Sequence, residues 1–171
     1  MLALAPMTLR ELTRADRAQM LRLNLASVQE LSELDERRLE WILSFAYRGL
    51  GVEHEGELVA FALAIAPSTA YDSENYRWFS ATFERFLYLD RIAVAGPMRR
   101  RGLATRLYDA MEAAAVPLER MVCEVNVHPP NPASLAFHTS RGYVEIGRLS
   151  HGEKVVALMS KELRDVEQRS A

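Results

Sequence analysis

The 171 residues are 49% hydrophobic and 26% charged, proportions that allow one substantial core and leave too little length for a second full-sized domain. The 21 basic and 23 acidic residues give a net charge of -2, which excludes a histone-like or tail-like role and provides no global field for nucleic acid or an anionic membrane. No run of about 18 apolar residues occurs, Met1 to Met7 lacks a charged leader, and the single cysteine, Cys123, can form no internal disulfide, so a soluble cytoplasmic protein is expected.

Thr8 to Leu12 suits a short first strand, and Thr13-Arg14-Ala15-Asp16 then offers a cap and an acidic first turn to a helix running to about Glu30, with Leu21, Leu25 and Val28 along one face. Asp35 opens a second amphipathic helix through Leu39, Ile42, Leu43 and Ala46, which Gly49 is expected to stop. Val52 to His54 and Leu58 to Ala66 flank Glu55-Gly56-Glu57 as a β-hairpin. Pro67 to Tyr76 is polar, aromatic and irregular, and leads into a helical turn at Arg77-Trp78-Phe79. Phe86 to Val94 reads as a buried strand and Arg99 to Ala115 as a helix with the apolar stripe Leu103, Leu107, Ala110, Met111 and Ala114. Met121 to Val127 is a further strand, and Asn131-Pro132 supplies a cap and an N1 proline to a helix ending at Gly142. Tyr143 to Leu149 and Lys154 to Ser160 pair around His151-Gly152-Glu153, and residues 164–171 are expected to fray. This order implies an α/β or α+β single domain over 1–171, with its core at about 7–162.

Only Lys154 and Lys161 among the basic residues are lysines, so local arginine clusters matter more than the total. In Arg99-Arg100-Arg101-Gly102-Leu103-Ala104-Thr105-Arg106 a strand becomes a helix, which aims unpaired backbone N–H groups and a positive dipole end into one small volume. Gly102 leaves room for close approach, Ala104 keeps the turn tight and the arginines supply counter-charge; phosphate is the natural guest. No Gly-Lys-Ser/Thr follows, which excludes a Walker loop, and one glycine where three are needed excludes a dinucleotide fingerprint. A solvated arginine run capping a helix is the plainer alternative.

The segment resembles the acetyl-CoA motif of the GNAT superfamily of N-acetyltransferases, Arg/Gln-x-x-Gly-x-Gly/Ala, filled here by Arg99, Gly102 and Ala104. The likeness extends through Asp90-Arg91-Ile92-Ala93-Val94 upstream and Asn131-Pro132-Ala133-Ser134, Phe137-His138 and Gly142-Tyr143 downstream. It implies a central mixed, mostly antiparallel sheet flanked by helices, with splayed central strands holding acetyl-CoA. By the same resemblance, backbone groups of Ile92, Ala93 and Val94 would meet the pantetheine arm and the N–H groups of Arg100, Arg101, Gly102, Leu103, Ala104 and Thr105, with Arg99 beside them, the pyrophosphate. Asn131, Ser134 and Phe137 would lie near the thiol half, although helix capping alone also explains Asn131.

Acetyl transfer needs a neutral amine, donors for the developing oxyanion and an acid near the departing sulfur. Where the family usually has an acid tyrosine, four residues before the glycine ending the Asn-Pro helix, this chain has His138, which can donate a proton near neutrality or simply pack. Asp90 and Tyr88 share a strand face by the period of two and are the candidate base and its neighbour, with a structural ion pair from Asp90 to Arg91 or Arg85 as the alternative. The resemblance places the acceptor at Asn24, Tyr71, Asp72, Asn75, Tyr76 and Trp78, a mixture suited to a small polar ligand or to an ordered loop packing its own aromatics. Cys123 and Glu124 read as core and strand-face residues, so direct transfer in a ternary complex is expected rather than an acyl-enzyme. The four histidines lack metal-ligand spacing.

The leading expectation is acetyl transfer to the primary amine of a small molecule, an amino acid or amine metabolite. Acetylation of a protein N-terminus or lysine, and a non-catalytic acyl-CoA-binding or sensing module, are the competing readings. Exposed sheet edges admit a homodimer without specifying one.

Overall fold

The computed structural model describes residues 6–27 and 31–163. Strand order in its seven-stranded mixed sheet is β1 (Thr8–Glu11), β2 (Ala46–His54), β3 (Glu57–Ile65), β4 (Leu87–Val94), β5 (Arg120–His128), β7 (Lys154–Glu162) and β6 (Val144–His151). Among the described residues five α-helices intervene: α1 (Arg17–Leu25), α2 (Glu36–Phe45), α3 (Glu74–Thr82), α4 (Leu103–Ala115) and α5 (Pro132–Ser140). The sheet is antiparallel at β1–β2, β2–β3, β5–β7 and β6–β7, and parallel at β4–β5. Packing divides the chain into two units, residues 1–65 with 90–111 and residues 66–89 with 112–171, so that β4 contributes to both.

In the first unit, Thr13 caps as expected, doing so in a reciprocal capping box with Asp16, and Asp16 also pairs with Arg10 at 2.8 Å. Helix α1 closes at Leu25, short of the expected end, where the Ala26 N–H meets the Arg22 carbonyl and the Ser27 N–H meets that of Asn24. Val28 and Glu30, which the sequence reading placed on this helix, lie outside the described residues, as does the tail at 164–171. Asp35 caps α2 by accepting from the Arg38 N–H at 2.6 Å, as expected.

Helix α2 ends at Phe45 rather than near Gly49, and β2 begins at Ala46, well before the expected Val52. Gly49 is no helix stop because it belongs to the strand, as does Gly51. A Cβ on Gly49 would stand 3.1 Å from Leu12 Cδ1, and one on Gly51 2.9 Å from Leu12 Cδ2, so both mark close approach by a side chain and not a helix stop. Glu55 and Gly56 both have positive φ, 53° and 80°, which gives the tight two-residue turn that joins β2 to β3. β3 is buried along Leu58–Ile65, and the Gln19 side chain of α1 accepts from the Leu58 N–H.

In the second unit, residues 67–73 are irregular as expected, while the helical turn expected at Arg77-Trp78-Phe79 is the middle of a full helix, α3, capped by Ser73 through the Tyr76 N–H at 3.2 Å. Glycine at 147 admits the Trp78 ring of this helix onto β6: a Cβ there would lie 2.8 Å from Trp78 Cζ2. Asn131 caps α5 as expected, accepting from the Ser134 N–H at 3.1 Å, with Pro132 at N1. The helix closes with Gly142 at φ 88°, its N–H bonded to the Thr139 carbonyl and that of Tyr143 to the His138 carbonyl, each at 3.0 Å.

Candidate functional site

Between β4 and α4 the chain makes a short 3-10 turn at Gly96–Met98 and then passes through two left-handed residues, Arg100 at φ 62° and Gly102 at φ 75°. These turns delay α4 to Leu103, four residues after the expected start at Arg99. Its first helical backbone bond runs from the Arg106 N–H to the Gly102 carbonyl at 3.0 Å, so the N–H groups of Leu103, Ala104 and Thr105 have no carbonyl one turn earlier. A Cβ on Gly102 would meet no protein atom within 4 Å, hence the glycine is required by its backbone angle and the space before it stays open. Arg99, Arg100, Arg101 and Thr105 are exposed, Ala104 is half-buried, and the Leu103 side chain is buried, so Leu103 can offer only its N–H outward. Arg106 turns away, donating from Nη1 to the Met7 carbonyl at 3.0 Å. The arrangement fits a bound phosphate group: open space, first-turn N–H donors and three exposed guanidinium side chains.

Upstream, the parallel register of β4 with β5 comprises Leu87–Met121 and Tyr88–Val122. Ile92 and Val94 are half-buried and Ala93 is buried. Asp90 forms the buried ion pair that the sequence reading held as the alternative to a base: Arg91 Nε donates to its Oδ2 at 2.8 Å, and both side chains are 5% exposed. Arg85 goes elsewhere, donating to the Pro117 carbonyl and pairing with Glu119 at 3.4 Å. Arg91 Nη1 donates to Asn24 Oδ1 at 2.8 Å, while Asn24 Nδ2 donates to the Ser32 carbonyl at 2.9 Å. Asn24, expected to touch the acceptor, is thus 1% exposed and committed at both ends of its amide.

His138 is buried in the last turn of α5. Its Nδ1 lies 2.7 Å from the Ser134 carbonyl, which can only accept, so Nδ1 carries the proton and donates. The Ser134 hydroxyl is 3.4 Å from the same nitrogen, and the ring meets Phe137 and Tyr143 edge-on. Burial holds the His138 pKa below its ordinary value, with nearby Arg141 adding to the effect and the Ser134 carbonyl and Glu112 opposing it. The ring is therefore neutral near pH 7 with its lone pair on Nε2; to act as an acid it must first take up a proton. Around it lies a saturated polar cluster in which Glu112 accepts from the Tyr143 hydroxyl at 3.0 Å, Arg141 Nε at 3.1 Å and Lys161 Nζ at 2.7 Å.

Tyr71, Tyr76, Phe79, Phe86 and Tyr88 pack as one buried aromatic group, with Tyr71 edge-on to Tyr76 at 5.6 Å between ring centres. The Tyr76 hydroxyl donates to the Ala66 carbonyl at 2.8 Å and accepts from the Thr69 N–H. Asn75 Oδ1 and Glu74 Oε2 lie 2.9 Å and 2.8 Å from the two ring nitrogens of His151, while Asp72 is exposed. Most of the expected acceptor residues in this segment thus hold α3 and its aromatic base in place.

Glu124, expected from the sequence to be a strand-face residue, is a further carboxylate beside the aromatic group. It is half-buried on β5 two residues beyond the last β4–β5 pair, and the Tyr88 hydroxyl donates to its Oε1 at 3.0 Å with Ser73 Oγ 3.5 Å from that hydroxyl. A lone acidic residue inside the apolar run Met121–Val127 was the available signal.

A family model described as the acetyltransferase (GNAT) family matches residues 10–143. Among solved structures, the ribosomal-protein-S18-alanine N-acetyltransferase from Escherichia coli superposes with a TM-score of 0.71 at 16% identity, over 94% of this chain and 96% of that one. Ard1 from Thermoplasma volcanium gives 0.75 at 15% identity, over 93% and 99%. The putative acetyltransferase yncA from Salmonella typhimurium, solved with its cofactor acetyl-CoA, gives 0.68 at 19%, over 92% and 94%. No curated protein matches the sequence. Among the described residues no helix is long and apolar enough to cross a membrane.

Proposed function

Because the chain belongs to the GNAT acetyltransferase family and is an acetyl-CoA-dependent acetyltransferase, we propose that it transfers acetyl to the primary amine of a small molecule, an amino acid or amine metabolite, by direct attack. Acetyl-CoA supplies the acetyl group as an activated thioester. The observation that carries the acceptor reading is Glu124: a half-buried carboxylate, held by Tyr88 above closely packed aromatics, suits a cationic amine of limited size. Glu124 takes the proton that leaves the acceptor ammonium, a role for which Asp90 is poorly suited because its carboxylate is buried against Arg91. His138 Nε2 accepts a second amine proton and returns it to the departing sulfur, and since a thiol titrates near about 8.5 this step asks little of the acid. Arg99 and the N–H groups of residues 100–105 hold the pyrophosphate, Ile92–Val94 the pantetheine arm, and Asn131, Ser134 and Phe137 border its thiol end.

A second acceptor, the N-terminal amine of a protein, is favoured by the comparisons, since the Escherichia coli neighbour is a ribosomal-protein alanine N-acetyltransferase and Arabidopsis thaliana NAA60 was solved with a bisubstrate analogue. The deciding experiment measures thiol release from acetyl-CoA against amino acids, polyamines, aminoglycosides and short peptides, beside a thermal-shift titration with CoA. Release with free amines is the expected result. Release with peptides alone overturns the small-molecule reading, and CoA binding with no release across the panel points to a sensing module. We further propose a cytoplasmic setting and a homodimer built on a sheet edge.

A further inference from the structure

Along β4 the buried positions alternate as Leu89, Arg91 and Ala93, so a guanidinium occupies a place where the pattern of the strand calls for an apolar side chain. Desolvating an arginine is costly, and a buried ion pair returns little net stability for it. The charge is nevertheless fully engaged: Nε donates to Asp90 at 2.8 Å, Nη1 to Asn24 at 2.8 Å and Nη2 to the Ser32 hydroxyl at 3.3 Å. Adjacent side chains on a regular strand point to opposite faces, so the bond between neighbours 90 and 91 marks a local departure from that regularity. The registered pairing of β4 with β5 ends at Tyr88, just before this point, and Ile92–Val94 follow directly after it.

We infer that Arg91 is a positioning residue for coenzyme A: its three-way fork to Asp90, Asn24 and Ser32 sets the backbone of Ile92–Val94 at the height and angle at which that strand meets the pantetheine arm. The inference rests on the assignment of Ile92–Val94 to the pantetheine arm above. A planar fork with fixed donor directions does this where a flexible ammonium cannot, which explains arginine at a position whose burial favours no charge.

The test uses two ligands, CoA and adenosine 3′,5′-bisphosphate, the second lacking the pantetheine arm and the phosphate that carries it. Calorimetric affinities are taken for the unmodified protein, for Arg91→Lys, which keeps a cation beside Asp90 and loses the fork, and for Ser32→Ala at an exposed residue. Arg91→Lys is expected to weaken CoA at least tenfold while changing the bisphosphate less than twofold, and Ser32→Ala to weaken CoA two- to threefold with the same selectivity. Unchanged CoA affinity in Arg91→Lys, or proportional weakening of both ligands, overturns the inference. Equal affinities of CoA and the bisphosphate for the unmodified protein would overturn the pantetheine assignment itself, and with it this role for Arg91.

Discussion

Asp90 and Glu124 are both carboxylates on central strands, and their surroundings differ. Asp90 is 5% exposed and bonded to a guanidinium, so a proton reaching it would break a buried ion pair. Glu124 is half-buried, and its Oε1 accepts from the Tyr88 hydroxyl, a neutral phenol and not a guanidinium. Glu124→Gln, of nearly equal shape, is expected to lower kcat by about 10²–10⁴ with CoA affinity unchanged, the range a positioned acid–base group contributes. Asp90→Asn is expected instead to lower the melting temperature and weaken CoA through Arg91. Steady-state kinetics with the best acceptor of the panel, beside CoA calorimetry, separates the two; equal kcat losses in both variants would return Asp90 to the role of base. His138→Gln is expected to cost about tenfold to a hundredfold in kcat and to remove one limb of the pH–rate profile. An unaltered profile would leave His138 as packing alone.

At the scale of elements, much of the fold was legible because its boundaries rest on local chemistry. Asn131-Pro132 and Gly142 delimit α5 by a cap, a fixed φ and a left-handed closing residue, all readable in order along the chain. The β2–β3 turn at Glu55-Gly56 was equally plain. What the sequence hid is tertiary: Gly49 and Gly51 serve Leu12 and Leu58 and not a helix end, and the left-handed angle at Arg100 that delays α4 belongs to a residue type that rarely adopts it. The turn motif at Arg99–Thr105 could be read from its spacing, whereas the Arg91 fork joins residues far apart in the chain, and Glu124 gains meaning only beside Tyr88. Gly147 is a further tertiary glycine. Gly147→Ala places a methyl group 2.8 Å from Trp78 Cζ2, so the ring must move off β6, at an overpacking cost of about 1–3 kcal/mol. A melting temperature lower by roughly 2–4 °C per kcal/mol and a shifted tryptophan emission are the expected readings, and an unchanged emission maximum would show that Trp78 does not rest on this strand in solution.

For the molecule as a whole, three groups with displaced titration set a stability profile in pH. Asp16, beside Arg10 and bonded to the Thr13 N–H, has its pKa lowered to about 2 from 3.8. His138 is lowered from 6.5, chiefly by burial, and Tyr143 is raised from 10.0 by burial, with Cys123 and Glu112 adding to the effect. Below pH 6.5 the unfolded chain binds a proton at position 138 that the folded one refuses, so stability falls on acidification by up to about 1.4 kcal/mol per pH unit until the folded ring titrates. A second loss follows between pH 3.8 and 2, as the unfolded chain protonates Asp16 while the native ion pair resists, worth about 2 kcal/mol in all. Above pH 10 the sign reverses, because the unfolded tyrosine releases a proton that native Tyr143 retains. Stability measured by urea titration should therefore show a plateau between about pH 6.5 and 10 with a fall on either side. His138→Gln should flatten the slope just below pH 6.5 and leave the deeper acid limb, while Asp16→Asn should do the reverse and lose about 2 kcal/mol on the plateau. If His138→Gln leaves the upper acid slope intact, the neutral, Nδ1-protonated ring inferred from the Ser134 contact is wrong, and the proton relay assigned to Nε2 fails with it.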